Sequence, residues 1–287
     1  MKRSFTLAVT QMACSFDPIE NQDRGEYLVR KAASQGANII LLQELFERPY
    51  FCKDQNPDYF NWALPVAENP LLNRFSNLAK ELEVVIPLSF FESAINVFYN
   101  SMALLDADGS CLGIYRKSHI PDGPGYQEKY YFTPGSTGFK VWDTQYGKIG
   151  VGICWDQWFP EAARAMVLKG AELLLYPTAI GSEPQAPLID TSRHWQRVMQ
   201  GHASANLVPV AASNRIGHET GKETDVTFYG NSFICGPTGE LLTQAGRDEE
   251  SVLTATLDFD EIDKMRKSWG VFRDRRPELY QSLVEQP

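Results

Sequence analysis

Residues 35–42 read QGANIILL, a turn of small and polar residues followed by a continuous run of branched apolar residues. The preceding segment, 24–37, has the apolar spacing of an amphipathic helix that Gly36 closes. The next segment, 38–44, is apolar enough for a strand buried on both faces. Residues 6–12 also have strand character, so the order strand, helix, strand predicts a β-α-β unit.

The same stretch recurs in the second half of the chain as KGAELLLY (169–176). A second pair, NSMALLDADGSCL (100–112) and NSFICGPTGELL (231–242), also matches. The two matches indicate a weak internal duplication in which each half supplies one sheet with helices on its outer face. We therefore predict an α/β fold, a four-layer α-β-β-α sandwich of two mixed sheets packed face to face and related by a pseudo-twofold axis. A single doubly wound sheet is the alternative, and the two hairpins make it less attractive.

Helix and strand patterns alternate through the rest of the chain. The predicted elements are helices over 71–83, 159–171 and 193–206, strands over 84–91, 148–154, 172–178 and 208–214, and hairpins over 100–117 and 231–244. No low-complexity linker interrupts them, so we predict one domain, 1–257, followed by a C-terminal tail, 258–287. The tail mixes charge with Trp269, Phe272 and Tyr280, which indicates an interface segment and a homo-oligomer.

The composition narrows the classes of function. The chain has 287 residues, of which 43% are hydrophobic, so it can bury a large core. Its net charge of −9 argues against nucleic acid as a partner, because phosphate binding needs a basic face. The short, interrupted apolar stretch at the N-terminus fits neither a signal peptide nor a membrane anchor, so we expect a cytoplasmic protein with no membrane partner.

The spacing of the cysteines and histidines argues against a metal site. The five cysteines are scattered without a CxxC pair, and the four histidines lack zinc-site spacing. Reduced thiols are the natural interpretation, and neither a metal nor an organic cofactor is implied.

Three polar residues stand where predicted strands end. Glu44 closes the apolar strand NIILLQE, Lys117 closes the first hairpin, and Cys154 ends KIGVGIC. Taken singly, each has an ordinary interpretation: a surface carboxylate, a solvated lysine and a packed core thiol. Taken together they are the types that thiol catalysis needs, because a thiol near pH 7 requires a base and a tetrahedral intermediate requires donors for its oxyanion.

The sequences around these residues resemble a known family. LLQELFERPYF around Glu44, GIYRKSHIP around Lys117 and GVGICWDQWFPEAARAM around Cys154 look like the three motifs of the nitrilase superfamily, carbon–nitrogen hydrolases with a Glu-Lys-Cys triad. The order and spacing agree, and the resemblance extends from TLAVTQM to at least LDFDEID. It implies the same α-β-β-α sandwich that the repeats predict.

The resemblance also implies roles for these residues. Glu44 would be the general base, Lys117 would stabilise the oxyanion, and Cys154 would be the nucleophile. The second glutamate that is frequent in the family matches Glu128 in DGPGYQEKYYFTPG, where it would orient Lys117 and the substrate amide.

The charge at the far end of the substrate is predicted from the charges of nearby residues. D-specific hydrolases of N-carbamoyl amino acids carry paired arginines just beyond the cysteine, and this chain has Gln157 and Trp158 there. Glu183, in YPTAIGSEPQ, suits an ammonium instead. The surrounding segments are similar to those of superfamily members that act on carbamoylated diamines, so we expect a small cationic carbamoyl substrate, with Tyr50 and Trp155 lining its apolar methylene chain.

Two alternatives remain open at this point. The chain could be another amidase, a ureidopropionase-like enzyme or a nitrilase that acts on a different small amide or nitrile. It could also be a catalytically silent scaffold that kept the fold, and the intact triad argues against that interpretation.

Overall fold

The computed structural model describes residues 3–285, which form fourteen strands and five α-helices. The strands are β1 (Ser4–Gln11), β2 (Ile39–Leu41), β3 (Ile86–Ala94), β4 (Val97–Leu105), β5 (Cys111–Arg116), β6 (Val141–Thr144), β7 (Gly147–Val151), β8 (Leu173–Pro177), β9 (Val210–Ser213), β10 (Ile216–Glu219), β11 (Val226–Tyr229), β12 (Phe233–Cys235), β13 (Leu241–Gln244) and β14 (Ser251–Asp258). The helices are α1 (Pro18–Ser34), α2 (Pro70–Leu82), α3 (Pro160–Leu168), α4 (Ser192–Asn206) and α5 (Phe259–Trp269).

The ends of the two predicted ranges fall outside this description. Met1 and Lys2 of the predicted domain 1–257, and Gln286 and Pro287 of the predicted tail 258–287, lie outside the described residues. Among the helices between residues 3 and 285, none is long and apolar enough to cross a membrane.

The strands form two large mixed sheets and a small hairpin of β10 and β11. In the first sheet, β14-β1-β2 joins β3-β4-β5 through a parallel bridge between Ile39 and Val85. Backbone hydrogen bonds reinforce this junction, from Ile40 N to the Val85 carbonyl (2.9 Å) and from Val85 N to the Asn38 carbonyl (2.8 Å). The second sheet has the order β13-β12-β9-β8-β7-β6.

The two sheets have matching topologies. The order β14-β1-β2-β3-β4-β5 in the first corresponds, strand for strand, to β6-β7-β8-β9-β12-β13 in the second. Each begins with an antiparallel edge strand, continues with parallel strands, and ends in an antiparallel hairpin. The predicted internal duplication is therefore present in the fold.

Apolar side chains fill three layers between these elements. Alternate residues of β1 and β7 face the other sheet, because successive strand side chains point to opposite faces. The layer between the sheets includes Leu7, Val9, Ile39, Leu41, Ile149, Val151, Leu173 and Leu175. The outer layers hold α1 and α2 against the first sheet and α3 and α4 against the second, through residues such as Leu28, Phe75, Met166 and Trp195. The predicted four-layer sandwich is confirmed.

Local sequence starts the outer helices. Asp17 caps α1 by accepting hydrogen bonds from the N–H groups of Ile19 and Glu20, and Asn69 caps α2 in the same way through Leu71 N. A cap of this kind contributes about 1 kcal/mol. Proline occupies the first position of α1, α2 and α3, where its missing N–H costs nothing.

Several predicted boundaries were wrong. The strand predicted over 38–44 ends at Leu41, and the one predicted over 148–154 ends at Val151. Beyond these ends the chain no longer pairs as a strand, and it turns sharply at Leu45 and Cys154, where φ is +49° and +42°. Helix α1 begins six residues before its predicted start, at the Asp17 cap. Strands β6, β10, β11 and β14 were not predicted.

The predicted tail starts inside the packed structure. Its first residues form α5, whose Phe259 and Ile262 are buried in the layer between the sheets. Between Gly270 and residue 285 the chain forms only short turns, and Trp269 and Leu283 are exposed. Residues 259–262 thus complete the core, while the far part of the tail lies on the surface.

Candidate active site

The four residues predicted to be catalytic meet at one end of the sandwich. Glu44 follows β2, Lys117 follows β5, and Glu128 begins a 3-10 turn over Glu128–Tyr130. Cys154 begins a second 3-10 turn, Cys154–Trp158, three residues after β7. Because Glu44 follows a strand of the first sheet and Cys154 follows a strand of the second, the cluster draws on both halves of the duplication.

Lys117 is the centre of this cluster. Its Nζ donates to Glu44 Oε1 at 2.8 Å and to Glu128 Oε2 at 2.6 Å, and all three side chains are fully buried. Burial alone would lower the pKa of Lys117, but the charges of Glu128 and Glu44 outweigh it and raise the pKa well above its ordinary value. Lys117 is therefore a permanent cation, able to stabilise an oxyanion.

The two carboxylate oxygens of Glu44 differ in their hydrogen bonding. Its Oε1 accepts hydrogen bonds from Lys117 and from Asn100 Nδ2, the latter at 2.6 Å. Its Oε2 is buried and has no hydrogen-bond partner among residues 3–285. A buried carboxylate oxygen without a partner is destabilising unless another group completes it, so this atom is available to accept a proton.

Glu128 is held from two sides. Its Oε2 accepts from Lys117, and its Oε1 accepts from the hydroxyl of Tyr50 at 2.7 Å. Burial raises the pKa of Glu128 above its ordinary value, against the lowering effects of Lys117 and the Tyr50 hydroxyl.

Cys154 lies at a strained position. Its φ of +42° is rare for a residue with a Cβ and places it at a sharp turn. The side chain is 6% exposed, and its Sγ lies 3.8 Å from the Ala179 carbonyl oxygen. Burial, followed by the charge of Glu44, raises the pKa of the thiol well above its ordinary value, and Lys117 counteracts part of this. The resting residue is a thiol that needs a base.

The structure places the three predicted substrate-binding residues differently. Tyr50 is fully buried and belongs to the catalytic cluster through Glu128, which the sequence interpretation did not foresee. Trp155 follows Cys154 directly, is 39% exposed, and its ring lies 6.1 Å from that of Trp158. A role for either ring along a methylene chain stays a prediction.

Glu183 lies in the loop after β8, outside the hydrogen-bonded cluster. Its carboxylate accepts from Thr191 Oγ1 (3.3 Å) and Gln185 Nε2 (3.2 Å). Burial raises the pKa of the Tyr229 hydroxyl, against the effect of its hydrogen bond with Thr191, and the charges of Glu183 and Cys154 raise it further. Burial also raises the pKa of Tyr126, the same two charges contribute, and its hydroxyl donates to the Ser182 carbonyl at 3.0 Å. Both tyrosine hydroxyls are thus within electrostatic range of the thiol and of the Glu183 carboxylate.

Comparison with known proteins gives the family. A family model described as carbon–nitrogen hydrolase matches residues 6–267. The chain belongs to the carbon–nitrogen hydrolase family. The resemblance to the nitrilase superfamily is thereby confirmed, and the cluster around Lys117 lies within the matched range.

Individual relatives of this carbon–nitrogen hydrolase extend over nearly the whole chain. An N-carbamoylputrescine amidase of Oryza sativa subsp. japonica is 62% identical over 283 residues, which are 97% of this chain and 94% of that protein. A citrullinase of Francisella tularensis is 56% identical over 278 residues, 97% of each chain. The crystal structure of a carbon–nitrogen hydrolase from Helicobacter pylori is 38% identical, with a TM-score of 0.91 over 99% of both chains.

The hydrolase also has supporting residues that the sequence analysis missed. Asp156 is fully buried, and its carboxylate takes part in four hydrogen bonds. Two come from Ile153 N (2.9 Å) and the Tyr115 hydroxyl (2.7 Å), and two involve the backbone N–H (3.0 Å) and ring Nδ1 (2.7 Å) of His119. Asp156 thereby ties the turn of Cys154 to the segment that carries Lys117. The signal available in the sequence was an acidic residue two places after the cysteine.

Asn100 was missed for a different reason. It lies in the repeat used to detect the duplication, and its side chain donates to Glu44 across 56 residues of sequence. A polar residue at the buried part of an apolar strand was the available signal.

No group of three or more metal-ligating side chains is positioned around a common point within the described part of the chain.

Proposed function

We propose that this hydrolase removes the carbamoyl group of N-carbamoylputrescine and releases putrescine, carbon dioxide and ammonia, a step in polyamine synthesis. One observation carries the chemistry: a buried Lys117 lies between two carboxylates, and the thiol of Cys154 is within electrostatic reach of all three. The substrate follows from the 62% identity to an amidase of that name.

The first half of the reaction forms a covalent intermediate. Glu44 Oε2 accepts the thiol proton, and the Cys154 sulfur attacks the carbamoyl carbon. Electrons of the C=O bond move to oxygen, where Lys117 Nζ and the backbone N–H of Trp155 stabilise the negative charge. When the tetrahedral species collapses, Glu44 returns the proton to the departing nitrogen. The leaving group is ammonia or the diamine, and the products are the same for both orders.

The second half restores the thiol. Glu44 deprotonates a water molecule, which attacks the carbonyl carbon of the thioester-like intermediate. As the C–S bond breaks, Glu44 returns that proton to the departing sulfur of Cys154. The carbamic acid that results loses carbon dioxide and leaves putrescine if ammonia departed first, or ammonia if putrescine departed first. Glu128 contributes by holding Lys117 and by offering its Tyr50-bonded oxygen to the substrate amide.

In this proposal, Glu183 binds the ammonium at the far end of the substrate. The site presents a carboxylate near Tyr126 and Tyr229, and a diamine presents an ammonium about four methylenes from the carbamoyl group. Gln157 takes the place of an arginine that could bind a carboxylate. Its Oε1 accepts from Trp195 Nε1 (2.7 Å) and Thr178 Oγ1 (3.2 Å), so it is committed to the protein interior.

Citrulline is the second candidate substrate. The 56% identity to a citrullinase favours it, and citrulline differs from N-carbamoylputrescine by one carboxylate on the carbon that bears the amine. A cation that could meet this carboxylate is Arg247, which lies over the ring of Tyr229 and is 2.9 Å from Asp190. Because Asp190 neutralises this charge, we place citrulline second.

The test is a comparison of kcat/KM for four ureido compounds: N-carbamoylputrescine (cationic), citrulline (zwitterionic), N-butylurea (neutral) and N-carbamoyl-β-alanine (anionic). N-Carbamoylputrescine should be preferred. Glu183→Gln should lower kcat/KM for it by about ten- to a hundredfold, since a charge-assisted hydrogen bond contributes roughly 1.5–3 kcal/mol. N-Butylurea should be unaffected.

Two controls make the result decisive. Asp190→Asn changes an acid of the same loop that bonds Arg247, and it should not reduce the preference for the cation. Cys154→Ala should abolish turnover of every compound. A wild-type preference for citrulline or for the anion would overturn the substrate assignment, and equal losses for all compounds in Glu183→Gln would mean that Glu183 only supports its loop.

We also propose a homo-oligomer in the cytoplasm, without nucleic acid or membrane partners. Apolar residues of α3, α4 and the tail line one groove, among them Leu168, Val198, Tyr280, Leu283 and Val284. All five cysteines are free, as a reducing compartment would keep them. Light scattering of the wild type and of Leu283→Asp tests the assembly: the wild type should be at least a dimer, and an unchanged mass for the variant would exclude this surface.

A further inference from the structure

Arg215 is a fully buried arginine that the proposed reaction does not use. It lies between β9 and β10, and its guanidinium donates mainly to main-chain carbonyls of one loop. Nη2 contacts the carbonyl oxygens of Glu44 (2.9 Å) and Leu45 (2.5 Å), and Nη1 contacts that of Arg48 (2.9 Å). The planar fork of arginine suits this pattern, since it directs several donors at fixed angles.

Glu219 on β10 completes the arrangement. Its Oε1 accepts from Arg215 Nη1 at 3.1 Å, and its Oε2 accepts from the backbone N–H of Tyr50 at 2.6 Å. Lys53 Nζ lies 3.3 Å from the same Oε2 and donates to the Tyr50 carbonyl at 3.1 Å. The pair of Arg215 and Glu219 therefore fixes both ends of the segment from Glu44 to Tyr50.

This segment carries two groups of the catalytic cluster but has no regular structure between them. Leu45, next to Glu44, has φ +49°, which a side chain with a Cβ adopts only when its surroundings impose it. The bond from Arg215 to the Leu45 carbonyl and the bond from Leu45 N to Ser89 Oγ (3.0 Å) supply that constraint. Burying a guanidinium is unfavourable compared with an apolar residue of similar size, so stability alone does not explain Arg215.

We propose that Arg215 and Glu219 are positioning residues that hold the Glu44 carboxylate and the Tyr50 hydroxyl against Lys117 and Glu128. The inference rests on the proposed function, because it takes Glu44 as the general base. It predicts that loss of the arginine fork acts on turnover through Glu44 and leaves substrate binding nearly unchanged.

A double-mutant cycle between Arg215 and Glu44 tests the proposal. Arg215→Lys keeps the charge but loses the fork, and it should lower kcat for N-carbamoylputrescine by about ten- to a hundredfold with KM within about threefold. In a Glu44→Gln background the same change should lower the residual kcat by less than about threefold, because the base it positions is already absent. Arg74→Lys is the matched control, since Arg74 joins α1 to α2 through Asp23 and Glu26, and it should leave kcat unchanged in both backgrounds.

The outcomes separate the two proposals. Equal losses of kcat in the wild-type and Glu44→Gln backgrounds, or wild-type kcat in folded Arg215→Lys, would overturn the positioning role. Wild-type kcat in Glu44→Gln alone would overturn the proposed mechanism instead. If Arg215→Lys does not fold, the neutral double variant Arg215→Met with Glu219→Gln replaces it in the same cycle. The new amide at position 219 can still accept from the backbone N–H of Tyr50, while the methionine offers no donor to the Glu44 carbonyl.

Discussion

Three ionisable side chains, Glu44, Lys117 and Glu128, are buried in direct contact in this hydrolase. Removing each ion from water costs several kcal/mol, a cost that apolar residues of the same volume would avoid. The hydrogen bonds from Asn100 and Tyr50 offset part of that cost. The pKa values of Lys117 and Glu128 are both raised, and groups with perturbed pKa values concentrate at functional sites.

The hydroxyl of Tyr50 should set the acidic limb of the pH profile. Burial raises the pKa of Glu128, and the bond from Tyr50 counteracts this by favouring the ionised form. We expect activity to need ionised Glu128, so kcat/KM falls as the pH drops through its raised pKa. Tyr50→Phe should move this limb to higher pH by about one to two pH units, because a hydrogen bond to a charged group contributes roughly 1.5–3 kcal/mol.

A neighbouring tyrosine provides the control. Tyr126→Phe removes a hydroxyl that bonds the Ser182 carbonyl and Gly181 N, so the acidic limb should stay in place. If Tyr50→Phe raised KM and left the limb unchanged, Tyr50 would be a substrate-lining ring, as the sequence analysis expected.

The apolar pattern singled out Glu44, Lys117 and Cys154 as polar or reactive residues at the ends of predicted strands, and the resemblance to the nitrilase superfamily supplied the roles proposed for them. Sequence reasoning could not find the contact of Tyr50 with Glu128, since these residues are 78 positions apart and meet only after both loops have packed. The roles of Asn100 and Arg215 were hidden for the same reason.

At the scale of elements, the turn after β7 positions Cys154, the proposed nucleophile. Gly152 precedes it in tight contact with Tyr176 and Asp156, where a Cβ would come within 2.9 Å of the Tyr176 ring. Cys154 then takes its positive φ, and Asp156 bonds back to Ile153 N. The hydrogen bonds to one buried carboxylate therefore hold the strained residue in place.

Asp156→Asn should disturb the hydrogen bonds of this turn without leaving a cavity. The amide keeps the size of the carboxylate, but its NH₂ would face donors such as Ile153 N and the Tyr115 hydroxyl. We expect kcat to fall about ten- to a hundredfold with KM within about threefold, as measured by steady-state kinetics on folded protein. Asp143→Asn, an exposed acid on β6, should behave as wild type. A wild-type kcat for Asp156→Asn would remove Asp156 from the positioning network.

The elements with clear periodicity were predicted and the less regular ones were not. Helices α2, α3 and α4 lie within two or three residues of their expected bounds, because each has an apolar stripe and most have a proline or cap to mark an end. The β10–β11 hairpin was missed because its stretch, IGHETGKETDVTFY, is dominated by polar and charged residues. Its strands form through pairing with each other, which apolar periodicity does not report.

At the scale of the whole molecule, the residues proposed for catalysis and the helix that closes the core lie at opposite ends of the duplicated sheets. The proposed base Glu44 and the proposed nucleophile Cys154 lie beyond the carboxyl ends of β2 and β7. At the opposite end, α5 follows the edge strand β14 and packs beside the starts of β1 and β7, where Phe259 lies 5.7 Å from the Phe5 ring and near Gly147. The sequence repeats predicted two matched halves, but they could not show that the start of the predicted tail closes the core between them.

Removal of one aromatic ring from α5 should therefore destabilise the protein while sparing its chemistry. Phe259 is 2% exposed, and truncation of a buried phenylalanine costs about 3–5 kcal/mol. Phe259→Ala should lower the free energy of unfolding in urea by that amount, whereas kcat/KM of the folded fraction stays within about twofold of wild type. Trp269→Ala, on the same helix but 71% exposed, should lower it by less than about 1 kcal/mol. Equal and small effects for the two variants would mean that residues from 258 onwards form a separate tail, because only a helix that is part of the core distinguishes its buried ring from its exposed one.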